Sequence, residues 1–310
     1  MLDVIPKSMF AMLASSATMK SLASRYGMRT PSSFARRFIA GEHVAEAVEA
    51  ARALERTGQT VTLDFLGESV SSREAATAAT TAYVQMIAEI ALAGVGRNIS
   101  LKLTQLGLDI DRATSTDNLR RVLDAARHSD FFVRIDMENS PYTDPTLDTF
   151  ETLWNIGYRN AGVVIQSCLK RSERDVHRVN GLGGRIRLVK GAYREPRDVA
   201  FQQKSEVDAA FVELMHLLLR DGTYPAIATH DPAMLDATRS FAQSENVAKS
   251  AFEFQMLYGI RRDLQASLVT EGYPVRVYVP FGTDWFPYFM RRLGERPANV
   301  GFVVRSLLAE

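Results

Sequence analysis

Cysteine is almost absent from this chain: Cys168 is the only one in 310 residues. A lone thiol excludes an intramolecular disulfide framework and any metal site built on clustered cysteines, and it suits the reducing cytoplasm. An excess of either charge is also missing. Lys and Arg total 37 against 36 Asp and Glu, a net charge of +1, so the basic surplus of a nucleic-acid binder is not there. No run of 18 apolar residues occurs, which leaves no helix expected to span a membrane. Histidine is sparse, and His43, His128, His177, His216 and His230 are scattered, so no metal site is expected. Neither an internal repeat nor a low-complexity tract is visible, and no Gly-x-Gly-x-x-Gly loop follows the first expected strand.

What is present suits a large globular unit. Hydrophobic residues make up 46% of the chain, enough for a sizeable core. The length accommodates one α/β barrel of about 250 residues plus an appendage. At the N-terminus, Asp3 and Pro6 precede the apolar stretch and no basic segment leads it, unlike a secretory signal. Met9, Phe10, Met12 and Leu13 share one side of a helix, expected to pack onto the protein's own domain. Residues 1–58 are expected to form a predominantly helical arm, and residues 59–310 the main domain.

From residue 60 onward, short apolar runs alternate with longer helical patterns. Strands are expected at residues 60–66, 99–104, 131–137, 162–168, 185–191, 226–230, 252–257 and 275–281. Eight βα units in succession indicate a closed (β/α)8 TIM barrel, with an open doubly wound sheet as the alternative. Asp144-Pro145 and Asp231-Pro232 each read as an N-cap followed by a first-turn proline. Thr116, Asp117 and Asp284 read as further caps, and Gly94, Gly157, Gly222 and Gly272 as helix stops.

Parallel barrel strands are normally near-continuous Val, Ile and Leu. Here each expected strand admits a polar residue: Asp64, Lys102, Asp136, Gln166, Arg187, His230, Gln255 and Tyr278. Buried polar groups need partners, so these residues either plug the barrel mouth among themselves, as Lys102 with Asp136 would, or face a ligand. Most fall near the C-terminal strand ends, where barrels of this kind place active sites. Lys102 or Lys190 could serve a Schiff-base aldolase, and Asp136 with Glu138 a retaining glycosidase. The cations at the strand ends favour an anionic substrate or cofactor. In the last expected helix, Tyr288, Arg291, Arg292 and Glu295 form one polar stripe at i, i+3, i+4 and i+7. Taken alone, that stripe could equally be a solvated face.

Several segments together resemble the proline dehydrogenase family of flavoenzymes: LKLTQLG, RIDMENS, RLVKGAYREP, ATHDP, FEFQMLYG, VYVPFGTDWFPYFMRRLGE and PANVGFVVRSLL. They run in family order over roughly residues 60–306. The RLVKGAY segment combined with the Tyr-x-x-Arg-Arg-x-x-Glu helix is the specific part.

The resemblance implies a distorted barrel with its final helix over the mouth, FAD as cofactor, and oxidation of L-proline to Δ1-pyrroline-5-carboxylate by hydride transfer from proline C5 to FAD N5, the first step of proline degradation. It implies that Lys102, Arg291 and Arg292 clamp the substrate carboxylate, with Glu295 completing the stripe, though Gly294 beside it is unusual inside a helix. Leu257, Tyr278 and Tyr288 wall the ring. Asp136 and Arg187 are the catalytic pair, Arg187 also approaching the flavin N5. Gln166 and Met137 contact the flavin, and Lys190, Gly191, Ala192, Thr229 and His230 hold its ribityl and phosphate parts. Tyr288 stands where relatives acting on hydroxyproline carry a smaller residue, which implies proline as substrate.

A quinone or another electron acceptor, reached from the inner face of the membrane, is implied as well. So is a separate pyrroline-5-carboxylate dehydrogenase, because the chain has no room for the aldehyde dehydrogenase domain of some relatives. A homo-oligomer is compatible with the sequence. Two rival readings are a methylenetetrahydrofolate reductase-like flavin barrel and a catalytically silent binding barrel.

Overall fold

The computed structural model of the protein describes residue 28 and residues 33–295, the side chains of Phe34 and of residues 293–295 excepted. The amphipathic stretch around Met9–Leu13 lies outside the described residues, as does the side chain of Glu295. Eight parallel strands close into a barrel in sequence order: β1 (Thr60–Phe65), β2 (Asn98–Leu101), β3 (Phe132–Ile135), β4 (Ala161–Gln166), β5 (Arg185–Val189), β6 (Ala226–Ala228), β7 (Glu253–Leu257) and β8 (Val275–Phe281). The last strand pairs with the first over six residues, from Thr60 opposite Arg276 to Phe65 opposite Phe281.

Helices connect the strands: α1 (Val44–Glu55) precedes β1, followed by α2 (Arg73–Ala93), α3 (Arg112–His128), α4 (Thr143–Asn155), α5 (Ser172–Gly181), α6 (Lys204–Asp221), α7 (Pro232–Ser244), α8 (Arg262–Thr270) and α9 (Trp285–Glu295). α1 packs against β8, β1 and α2. It thereby covers the outer wall where β8 meets β1, and α9 is left to serve the mouth. None of the helices among the described residues is long and apolar enough to cross a membrane.

The strands obey a period of two that the barrel converts into two environments. Val61, Leu63, Ile99, Leu101, Val133 and Ile135 join the buried apolar cluster shared with the helices. Alternate positions supply Thr62, Asp64, Ser100, Arg134, Arg187, Glu253 and Gln255, all buried polar side chains. Their contacts join nearby strands inside the barrel: Thr62 lies 3.4 Å from Ser100, and Arg134 donates to the carbonyls of Val163 and Arg185. Gly162 makes room for that guanidinium, because a Cβ there would stand 2.7 Å from Arg134 Nη1 and 2.5 Å from the Arg185 carbonyl.

Three of the polar residues expected inside strands sit just beyond them. Lys102 and Asp136 follow β2 and β3 directly, and His230 lies two residues past β6. The ladder runs on by single bonds, with the Asp136 N–H donating to Leu101 at 2.8 Å. Among the helix caps, Asp231 behaves as expected and accepts from the Ala233 N–H. Two expectations fail. α3 starts at Arg112, capped by Asp111, whose carboxylate takes both the Thr114 N–H and hydroxyl at 2.7 Å; Thr116 and Asp117 therefore lie inside the helix. α4 starts at Thr143, entered from a 3-10 turn over Ser140–Tyr142, so Asp144 is a first-turn residue that pairs with Arg171 instead of capping.

Candidate active site

The C-terminal strand ends and α9 enclose a cavity of about 410 Å³. Strand-end residues Lys102, Asp136, Met137, Gln166, Arg187, Leu257 and Tyr278 line it, together with Lys190, Gly191 and Ala192 after β5 and Thr229 and His230 after β6. Tyr288, Arg291 and Arg292 enter from α9. All the candidates from the sequence therefore meet at one place except Glu295, whose backbone belongs to α9. The helix is seated by its apolar face: Trp285, Phe286, Phe289 and Met290 pack with Phe38, Ile39 and Leu66, and the Trp285 indole donates to Glu42 at 3.0 Å.

Asp136 is the hub of the charged floor. One oxygen accepts from Arg187 Nη1 at 2.7 Å and the other from the Tyr278 hydroxyl at 2.9 Å. Lys102 Nζ lies 3.6 Å from Asp136 and 3.8 Å from Asp64. The expected pairing of Lys102 with Asp136 thus exists, but it borders a cavity instead of plugging it. Burial, with the nearby charge of Asp136, raises the Asp64 carboxyl above its usual range against the pull of Lys102. Burial alone would lower the Lys102 ammonium, yet Asp64 and Asp136 together hold it well above the ordinary lysine value. An amine set between two carboxylates at 3.6 and 3.8 Å is poorly disposed to act as a neutral nucleophile, which counts against the Schiff-base aldolase reading for Lys102. The glycosidase reading fails on geometry. Glu138 spends its carboxylate on the Thr104 N–H and hydroxyl and is absent from the cavity lining.

Several site residues were not picked out by the sequence. Tyr193 lines the cavity, and burial pushes its hydroxyl up to about 12; its position directly behind Lys190–Ala192 was the available signal. Glu68, in the loop after β1, pairs with Arg291 at 2.9 Å, a contact between positions too distant in sequence to be foreseen. Gln255 was noted as polar but was given no role. Lys190 has partners that the sequence does not reveal. Its ammonium lines the cavity and pairs with Asp208 at 2.5 Å and Asp231 at 2.7 Å, two carboxylates that Lys204 shares.

A flavin fits the residues that remain. Gln166 commits its Nε2 to the Glu138 carbonyl at 2.8 Å, which leaves Oε1 as an acceptor for a ring N–H. Met137, Val164, Val189 and Ala228 supply apolar lining suited to an aromatic face. Gly191 adopts φ +105°, and a Cβ there would stand 2.4 Å from Cys168 Sγ, so only glycine lets this loop lie so close to the end of β4. His230 Nε2 accepts from the Leu257 N–H at 2.9 Å, which leaves Nδ1 as its donor.

Cys168 itself is buried beneath that loop, and burial followed by Glu195 pushes its thiol up to about 11. The folded protein is expected to resist iodoacetamide at about pH 8, and to be alkylated promptly once unfolded. Intact mass after timed exposure reads this directly, and fast native labelling would show the loop to be open.

Comparison with known proteins agrees with this architecture. The family model described as proline dehydrogenase matches residues 47–305. Proline dehydrogenase 2 of Bacillus subtilis is 40% identical over 304 residues, covering 98% of this chain and 99% of that one. Proline dehydrogenase of Deinococcus radiodurans is 41% identical over 278 residues, covering 88% and 90%. Among solved structures, proline utilization A from Bdellovibrio bacteriovorus inactivated by N-propargylglycine superposes with a TM-score of 0.80 at 25% identity. That match covers 96% of this chain but only 39% of the longer protein.

Proposed function

The chain belongs to the proline dehydrogenase family, and from that premise we propose that it oxidises L-proline to Δ1-pyrroline-5-carboxylate with FAD as its cofactor. The observation that carries this reading is the meeting of three cations, Lys102, Arg291 and Arg292, with the Tyr278 and Tyr288 rings in one cavity. The substrate offers one carboxylate and an otherwise apolar ring. Two guanidinium forks and an ammonium suit the carboxylate, and Leu257, Tyr278 and Tyr288 suit the methylenes. When bound, FAD supplies the acceptor for a hydride from C5. The ring nitrogen gives up a proton, and the C5–N bond becomes an imine.

Each residue has a definable task. Lys102 stays charged between Asp64 and Asp136 and waits for the substrate anion. Arg291 exchanges Glu68 for that anion. Asp136 orients Arg187, Tyr278 and Lys102 at once. Arg187 would bring positive charge to a bound flavin, while Gln166 and Met137 would hold its ring system. The Lys190–Gly191–Ala192 turn, Thr229 and His230 would hold the ribityl and phosphate portions, with Asp208 and Asp231 orienting the Lys190 ammonium. Glu295 is assigned to the same α9 stripe. The imine product is a substrate for a pyrroline-5-carboxylate dehydrogenase, and the electrons pass to a quinone or similar acceptor at a membrane surface.

The purified protein is expected to be yellow and to lose its visible flavin band anaerobically on addition of L-proline but not of NADH. A colourless protein that stays colourless with added FAD would sink the flavoenzyme reading. Bleaching by NADH alone would favour a reductase of the methylenetetrahydrofolate type.

Ring selectivity rests on Tyr288, which is buried one turn before Arg292 and stacks under its guanidinium at 5.0 Å. A hydroxyl added to the substrate ring would crowd this wall and lack a partner, worth roughly 1–3 kcal/mol of discrimination. Tyr288→Ser is expected to narrow the ratio of kcat/KM between proline and 4-hydroxyproline, mainly through lost activity on proline. A proportional fall on both substrates would mean that the tyrosine only packs the helix.

A further inference from the structure

We propose that Glu253 and Gln255, one above the other inside the barrel on β7, form a positioning pair that holds the Arg187 guanidinium in its working orientation. The proposal rests on the role given to Arg187 above.

The guanidinium is fixed at three points contributed by three strands. Nη1 donates to Asp136 at 2.7 Å, Nη2 to the Ser100 hydroxyl at 3.0 Å, and Nε to Gln255 Oε1 at 2.6 Å. The first two partners are shared. Asp136 also serves Tyr278 and lies near Lys102, and Ser100 sits against Thr62. Gln255 alone is given to Nε.

A carboxamide can rotate by half a turn and present an N–H where its oxygen stood, and against Arg187 that would set donor against donor. Glu253 prevents this. Gln255 Nε2 donates to Glu253 Oε1, and a carboxylate can only accept. Arg276 in turn holds Glu253 through a fork of contacts at 2.9 and 3.0 Å, and ties itself to the Val61 carbonyl at 2.8 Å. Burial would favour a neutral Glu253, but Arg276 keeps its carboxyl below the usual range. Orientation thus passes upward from the barrel floor: Arg276 fixes Glu253, Glu253 fixes the amide, and the amide fixes Arg187. Being neutral, Gln255 holds the guanidinium without cancelling the charge that Arg187 brings to the cavity.

The test uses the FAD-loaded enzyme and three variants, Gln255→Met, Gln255→Glu and Arg187→Met. Readouts are kcat and KM for L-proline, the midpoint potential of the bound flavin against reference dyes, and Tm. Gln255→Met fills the space but offers Nε no oxygen. It is expected to lower kcat about tenfold with KM within about twofold, and to shift the flavin potential in the same negative direction as Arg187→Met. Gln255→Glu keeps an acceptor oxygen for Nε but sets a second carboxylate against Glu253 and neutralises Arg187, so it is expected to shift the flavin potential further negative than Gln255→Met does. The proposal is overturned if Gln255→Met lowers Tm alone, with kcat and flavin potential unchanged. If Arg187→Met leaves both kcat and potential untouched, it is instead the role of Arg187 that fails. Should Gln255→Met not fold, Glu253→Gln carries the test, since it leaves the acceptor in place but frees the amide to turn. A negative potential shift is again expected, and an unchanged potential overturns the proposal.

Discussion

Lys102→Met is expected to lower kcat/KM for L-proline by a factor between about 30 and several thousand while the flavin stays bound. The range follows from the roughly 2–5 kcal/mol that is lost when one member of a buried charged pair is truncated. Lys102 suits so large an effect because its side chain is only 10% exposed and it lies between two carboxylates that keep it charged. Methionine preserves most of the volume, so the change isolates the charge. Without the ammonium, Asp64 is left buried with neither oxygen hydrogen-bonded, and its raised pKa lets it take up a proton instead of unfolding the barrel. Arg292→Ala is expected to act in the same direction. Loss of the flavin band in both variants, with proline affinity unchanged in whatever holoprotein remains, would show that this cluster grips the cofactor and not the substrate.

The second large effect is expected at Asp136. Its carboxylate serves Arg187, Tyr278 and Lys102 together. Asp136→Ala would leave two cations, with side chains 10% and 6% exposed, without their shared carboxylate, and of the two Lys102 alone is within 4 Å of Asp64 among the described residues. Removing one partner of a buried ion pair typically costs about 3–5 kcal/mol. For a chain of 310 residues that corresponds to a fall in Tm of roughly 5–8 °C, accompanied by loss of proline-dependent flavin reduction. Asp136→Asn keeps an acceptor oxygen and is expected to recover part of the Tm and little of the reaction, because a neutral amide does not orient two cations. Thermal unfolding of the holoproteins measures the first claim and stopped-flow reduction the second. An unchanged Tm for Asp136→Ala would mean that water replaces the carboxylate and that the floor is wetter than its contacts imply.

The barrel was legible because its signals are local. Apolar runs such as residues 275–281 alternate with helices that declare themselves by periodicity, and glycines such as Gly94 and Gly272 take positive φ just past helix ends. Where local signals competed, the wrong one was chosen. Asp144 and Asp117 look like caps in isolation, but Asp111 outbid Asp117 by taking two donors from Thr114, and a 3-10 turn carried the start of α4 past Asp144. Pairing depended on the folded chain. The partners of Lys190, Asp208 and Asp231, are brought to it from α6 and from the cap of α7.

By itself the sequence determined the eight-unit plan, the polar residue in each expected strand and the charged stripe on the last helix, because each is written within a few neighbouring positions. Only the tertiary structure decided which way those polar residues face and whom they meet. Closing the barrel sets the strand period of two against a single lumen, so Arg187 on β5 finds Asp136 after β3, Gln255 on β7 and Ser100 on β2. The stripe of α9 was ambiguous between solvent and substrate for the same reason. Its direction is set by the apolar seat that Phe38, Ile39 and Leu66 provide for Trp285 and Phe289, residues more than two hundred positions away along the chain.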